Sequence, residues 1–393
     1  MFPIHRFCFP KQDAPSVSGS STRLLEVVRR GGFKELRKTL GRDPKAAMIP
    51  DDNGWLPLHV AAYWKGSNAE YMGTIFDAYP SAAEVKNNSD SLPLHIALSS
   101  HASDKTVRML FKAYAKAAEI QNKYGHLPLH LACYRWNVSI ETIQMIYDAN
   151  PKAVEIQDNE GWLPLHHACG SDFYIMDPVK YLKYMDLLLS SYPDSMNVKT
   201  YKNEFPHDTL KTKTNIDLKL ACRLLNQAVQ LSLSPHLVRL LLQAFPKIIL
   251  KRDKEGMVPL HHACTINNPD YFENVIILLE FNANSITIAD DKGRTPLQIL
   301  SRRLTVADGV GMLSLHHIAS RSVVLSVKTC KILVDIFPKC ITTPDKNGLL
   351  PFHHACLNAA IMIDVVLYFL LLFPESIQPI DAHLEFQSEE KDL

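Results

Sequence analysis

Three segments of the chain repeat one set of metal-ligating side chains: His166-His167-Ala-Cys169, His261-His262-Ala-Cys264 and His353-His354-Ala-Cys356. Imidazole and thiolate together suit a zinc-type ion. The spacing argues against one. Helices pack about 8–10 Å apart, so equivalent residues of adjacent segments cannot share an ion whose bonds are about 2.0–2.3 Å long. Within a segment there are only three ligands, and neighbouring histidines on a helix point about 100° apart. The first histidine therefore reads as structural and the cysteine as a small core residue, with no metal and no cofactor expected. The same separation exceeds the roughly 7 Å limit for a disulfide. Cys133, Cys169, Cys222, Cys264 and Cys356 are expected as free buried thiols, which fits a reducing compartment. No phosphate loop, no Gly-x-Ser-x-Gly elbow and no His-Glu-x-x-His segment is present.

The element that positions these residues recurs along the chain. Gly54-Trp-Leu-Pro-Leu-His-Val-Ala61 is followed by Ser91-Leu-Pro-Leu-His-Ile-Ala97, Gly125-His-Leu-Pro-Leu-His-Leu-Ala-Cys133 and Gly161-Trp-Leu-Pro-Leu-His-His-Ala-Cys169. Gly256-Met-Val-Pro-Leu-His-His-Ala-Cys264, Gly293-Arg-Thr-Pro-Leu-Gln298 and Gly348-Leu-Leu-Pro-Phe-His-His-Ala-Cys356 complete the set. The first four prolines, at 57, 93, 128 and 164, are 35 to 36 residues apart. Glycine supplies a turn with positive φ, and proline opens a helix where its missing N–H costs nothing. Between these blocks lie one-faced helices such as Val107, Leu110, Phe111, Tyr114 and Val238, Leu241, Leu242, Phe245. Most end in an aromatic residue followed by proline, at Tyr79-Pro80, Tyr192-Pro193, Phe245-Pro246, Phe337-Pro338 and Phe373-Pro374, and proline stops the helix there. Each unit thus reads as turn, short inner helix, longer outer helix and return loop. It cannot bury both helices without stacking on its neighbours.

This unit resembles the ankyrin repeat, with its Thr-Pro-Leu-His-x-Ala signature and period of about 33 residues. Residues 278–297 follow the family pattern almost throughout, and residues 24–40 are similar to its N-terminal half-repeat. The resemblance implies an all-α, ankyrin-type helix-turn-helix repeat solenoid of about nine units, including the N-terminal cap, with short β-turn tips. It spans residues 22–378, between a disordered segment 1–21 and an acidic tail 379–393. Two units, near 203–255 and 293–347, are degenerate and are expected to hold long loops or one extra helix each. The family's threonine survives only at Thr295; elsewhere Leu or Val takes its place, so the hydroxyl form of the turn is in question.

Lys+Arg and Asp+Glu stand at 42 and 41, which leaves no electrostatic footprint for nucleic acid. Residues 1–50 carry ten basic against four acidic side chains, and this reads as a solvated cap face. No secretory signal is evident at Met1–Pro10, and no apolar run is long enough to span a bilayer. The expected location is intracellular, cytoplasmic or nuclear, and the expected state is monomeric. The resemblance implies a non-catalytic interaction module or scaffold whose protein partner lies on the concave face. Positions after the motif glycine and after the inner-helix Ala-Ala or Ala-Cys map to that face. They nominate Trp55, Tyr63, Trp64, His126, Tyr134, Arg135, Trp136 and Trp162, of the types enriched in binding hot spots. The alternative is that these rings only stabilise the stack. The segment Ile361–Phe373 is apolar all round and needs a cover, either the tail through Ile380, Leu384 and Phe386 or another chain. Two other functions remain open: an enzyme site within the degenerate units, or a membrane-peripheral adaptor using that last helix.

Overall fold

The computed structural model describes residues 23–304, except 67, 101, 135–137, 172–176, 214–215 and 267–270, together with 327, 331, 334, 342, 344–345, 347–357 and 363–372. The described residues are helical, with no strand among them. The chain forms two compact units, residues 1–220 with 239–245 and residues 221–238 with 246–393. The segments 1–21 and 379–393, most of 293–347, and the motif variant Gly311–Ala319 lie outside the described residues.

In the first unit, α1 (Arg23–Arg30) and α2 (Phe33–Arg42) form the opening pair. Four pairs follow: α3 (Pro57–Lys65) with α4 (Ala69–Ala78), α5 (Pro93–Ser99) with α6 (Asp104–Ala113), α7 (Pro128–Tyr134) with α8 (Ile140–Ala149), and α9 (Pro164–Cys169) with α10 (Pro178–Ser191). The inner helix α11 (Pro206–Lys213) comes next. Inner helices pack in sequence, α1 on α3, α3 on α5, α5 on α7, α7 on α9 and α9 on α11, while the outer helices α2 to α10 form a parallel row. The all-α repeat stack expected from the sequence is therefore what forms.

The motif proline is the first residue of α3, α5, α7 and α9. Outer helices are capped by Asn68, Ser103, Ser139 and Asp177, whose side chains accept N–H bonds from the first turn. Each outer helix stops at Tyr79, Tyr114, Asn150 or Tyr192, with φ between −144° and −151°. Three of these residues precede a proline, which excludes helical backbone before it. A five-residue 3-10 turn follows each, as at Pro80–Glu84 and Pro151–Glu155, and buries a pair of small side chains such as Ala82-Ala83.

Between 203 and 255 the chain places α11, α12 (Leu218–Gln230) and α13 (Pro235–Ala244). The second unit continues with α14 (Pro259–Thr265), α15 (Tyr271–Phe281) and α16 (Pro296–Leu304), then α17 (Pro351–Leu357) and α18 (Ile363–Leu372). Here α14 packs against α15 and α16, and α17 against α18. Leu371 is 81% exposed on α18. Ile361 and the tail residues expected to cover this helix lie outside the described residues. No helix among the described residues is long and apolar enough to cross a membrane.

Candidate functional site: the repeat tips and inner-helix ends

Seven of the described tips are each built by one side chain. Asp51, Asn87, Asn122, Asp158, Asp253, Asp290 and Asp345 each stand three residues before the residue of positive φ. The Oδ1 atom of each accepts two backbone N–H bonds, from the residues two and four further on, at 2.8–3.0 Å. The positive φ falls on glycine in six of the tips and on Asp90 in the other. A methyl group on Gly125 would come within 2.6 Å of Asn159 Oδ1, and one on Gly161 within 2.7 Å of Tyr201 N. Adjacent tips are tied by backbone bonds from the N–H groups of Asn88, Lys123, Asn159 and Tyr201 to the carbonyls of Asn53, Ser89, Tyr124 and Glu160, at 3.0–3.1 Å.

The motif histidine fastens the helix start to the next turn. His59 Nδ1 accepts the Leu56 N–H at 3.2 Å, and its Nε2–H donates to Ser91 O at 3.1 Å. His95, His130 and His261 repeat both bonds, the second directed to Ile120, Ile156 and Arg294 carbonyls. Leucine at the cap returns no bond, so the turn keeps only half of a reciprocal cap. At Thr295 the full pair forms: Thr295 N–H donates to Gln298 Oε1 at 3.0 Å, and Gln298 N–H donates to Thr295 Oγ1 at 3.2 Å. Burial penalises the charged ring and lowers His59, His95 and His166 to about 4 and His130 to about 3. These rings are neutral at physiological pH.

The second histidine of His-His-Ala-Cys has a separate task. With Oδ1 engaged by the turn, a tip aspartate still has a charged Oδ2 to satisfy. Asp158 receives His167 at 2.8 Å, Asp253 receives His262 at 2.7 Å, and Asp345 receives His354 at 3.0 Å. Asp51 takes Arg29 instead, at 3.3 Å, and Asp290 takes Arg294 at 2.8 Å. Where the tip residue is the neutral Asn87 or Asn122, the position nine residues on is Ile96 or Leu131. Charge at the tip and a basic partner go together.

A family model for ankyrin repeats (3 copies) matches residues 94–199. Residues 94–199 carry ankyrin repeats. Among solved structures, the Bd0816 predatory endopeptidase from Bdellovibrio bacteriovorus in complex with immunity protein Bd3460 is similar at 20% identity, with a TM-score of 0.40, over 50% of this chain and 94% of that one. EF0377, an ankyrin repeat protein, is similar at 18% identity, with a TM-score of 0.38, over the same shares of 50% and 94%. No curated protein matches the chain.

Along the stacked helix pairs the nominated aromatic residues divide by position. Trp55 and Trp162, each one residue after a tip glycine, are 1% and 5% exposed and lie against His59 and against His166 and His167. His126 holds the same position and is also buried. In this arrangement the three rings support the tip and present no surface to a partner. At the inner-helix end the pattern reverses. Trp64 is 53% exposed, with its ring edge-on to Tyr63 at 5.0 Å, and Tyr63 and Tyr134 are half-buried. Arg135 and Trp136 lie outside the described residues. Tyr201, not singled out from the sequence, is 73% exposed at the tip that covers Gly161. Its place two residues before the Asn203 turn was the signal available.

Two further expectations change. Cys133, Cys169, Cys222 and Cys264 are free buried thiols, but Cys356 is exposed. Among the described residues no inner helix follows α17 to cover it. The separation that keeps equivalent residues of adjacent repeats from sharing a ligand does not hold for unlike positions. His126 of one repeat reaches Asp158 of the next at 3.3 Å, where His167 already sits.

Proposed function

We propose that the chain is a non-catalytic protein-interaction module that binds its partner along the face made by the tips and inner-helix ends, the concave face of ankyrin folds. Ankyrin repeats are generally protein–protein interaction modules. The observation that carries the reading is the contrast at α3: Trp55 is spent on the core, while Trp64 leaves half its surface in water beside Tyr63. An exposed indole on a rigid helix end is a ready anchor. Tyr134 stands at the position equivalent to Tyr63 two repeats on, and Tyr201 adds a ring at a tip. The expected setting is intracellular, in cytoplasm or nucleus.

The test is affinity purification with mass spectrometry. It compares the full chain with a variant carrying Trp64→Ser, Tyr134→Ser and Tyr201→Ser, both verified as folded by circular dichroism. Loss of specific partners from the folded variant supports the reading. An unchanged partner set moves the search to α18, whose exposed Leu367 and Leu371 favour a second reading as a contact with another chain or a membrane surface.

A further inference from the structure

One tip has more than a tip requires. A single guanidinium holds Asp51 or Asp290, and a single imidazole holds Asp253. His262 there is fully used, since Gln230 Nε2–H donates to its Nδ1 at 2.9 Å while its Nε2–H donates to the aspartate. At Asp158 two imidazoles converge on one carboxylate oxygen, His167 at 2.8 Å and His126 at 3.3 Å, and all three side chains are buried. The second ring is surplus to fastening the turn. It also carries a cost that His262 avoids: Nδ1 of His126 is buried with no hydrogen-bond partner.

The charge balance is unusual as well. Asp158 pairs with no lysine or arginine among the described residues, and only imidazoles meet it.

The geometry suits an ion. One nitrogen of each ring and a carboxylate oxygen of Asp158 lie within 4.8 Å of one another. The Asp158 Oδ1 atom is fixed by the N–H groups of Glu160 and Trp162, which leaves Oδ2 as a single-oxygen ligand. A tetrahedral ion with bonds of about 2.0–2.1 Å needs ligand atoms about 3.3 Å apart. The His126–Asp158 edge has that length, and the His167–Asp158 edge must open by about half an ångström. His130, 5.5 Å from His167 between ring centroids, has both nitrogens committed to backbone groups and is a neighbour only.

We propose that His126, Asp158 and His167 form a binding site for a divalent transition-metal ion of the zinc type, joining two adjacent repeats. Two imidazoles and one carboxylate are a donor set such ions accept, with a fourth position left for water. Binding through Nε2 requires each ring to carry its proton on Nδ1. His126 Nδ1–H would have no acceptor, and this incomplete outer shell sets the affinity below that of dedicated structural zinc sites.

The test uses the full chain stripped with a chelator, then titrated with Co(II) and followed by visible absorption, with bound Zn(II) counted after dialysis. Wild type is compared with His126→Phe, which keeps the Asp158–His167 pair and a ring of similar bulk, with His126→Gln, and with His262→Phe as a control. His126→Gln keeps an N–H donor for Asp158 if phenylalanine impairs folding. The expected result is one more equivalent of ion in wild type and His262→Phe than in either His126 variant. A Co(II) absorption band and a rise in Tm with Zn(II) should both be absent from the His126 variants. Equal stoichiometry and equal Tm response in wild type and the folded His126 variants, or no retained ion in wild type, overturns the proposal.

Discussion

The two ends of helix α3 treat the same residue type in opposite ways. At the start, Trp55 is sealed beneath the tip with its ring 6.1 Å from His59; at the end, Trp64 stands 53% exposed. The difference lies in the backbone. Tips are bonded to one another by N–H···O bonds from Asn53 through Asn88 and from Ser89 through Lys123, and these close over whatever follows the glycine. The end of α3 is tied to the next repeat by other bonds, Ser103 N–H to Gly66 O at 2.9 Å and Ser100 Oγ–H to Ala62 O at 2.8 Å, and these leave Trp64 uncovered. The bonds at the tips close over the ring that follows the glycine, and those at the end of α3 leave its indole half in water.

That division can be broken in several ways, and the largest effect should come from acid. His59, His95, His130 and His166 all have folded values well below the ordinary 6.5. A depressed histidine binds its proton more tightly in the unfolded chain. Stability is then complete above pH 6.5 and falls as the pH drops toward the folded values of about 4 and 3. Each group contributes about 1.4 kcal/mol per pH unit in that window. Four together come to roughly 10–15 kcal/mol, as large as the margin of about 5–15 kcal/mol typical of a domain. Circular dichroism against pH should show cooperative unfolding between pH 6 and 4, before the tip aspartates protonate. A midpoint well below pH 4 would contradict the role given to the helix starts.

Substitutions sharpen the comparison. Trp55→Ala should cost about 3–5 kcal/mol in denaturant unfolding, as removal of a buried aromatic ring does. Gly161→Ala should cost more than Gly293→Ala. Both have positive φ, but the added methyl meets Tyr201 N at 2.7 Å in the first case and nothing within 4 Å among the described residues in the second. The strain alone is worth about 1 kcal/mol, and the clash adds to it. Thr295→Ala, which opens the one complete reciprocal cap, should cost about 0.5–1 kcal/mol. Trp64→Ser should cost much less than Trp55→Ala, about 1 kcal/mol, because half of its surface is already in water. Equal losses for Trp55→Ala and Trp64→Ser would erase the distinction between the two ends.

Much of this architecture was legible because turn and helix start sit in fixed register. Glycine followed by x-Leu-Pro-Leu-His locates most tips, and an aromatic residue before proline locates most outer-helix ends. The second histidine of His-His-Ala-Cys was harder. Its partner lies nine residues back across a turn, and other tips draw Arg29 or Arg294 from different positions to the same task. The clue was that aspartate precedes the glycine by three wherever that histidine is present. The aromatic residues could not be sorted in advance, because a tryptophan beside a tip packs equally well inward or outward until the ladder between tips is known. The meeting of His126 with His167 depends on how one repeat leans on the next, and motif spacing does not contain that.

The most direct test of the central claim is site-specific photo-crosslinking. A photoreactive phenylalanine analogue is placed either at position 64, on the helix end, or at the exposed Lys112 on the outer helix α6. The account predicts a specific adduct with one or a few proteins from position 64 and none from position 112. Adducts from position 112 alone, or the same adducts from both, would contradict it.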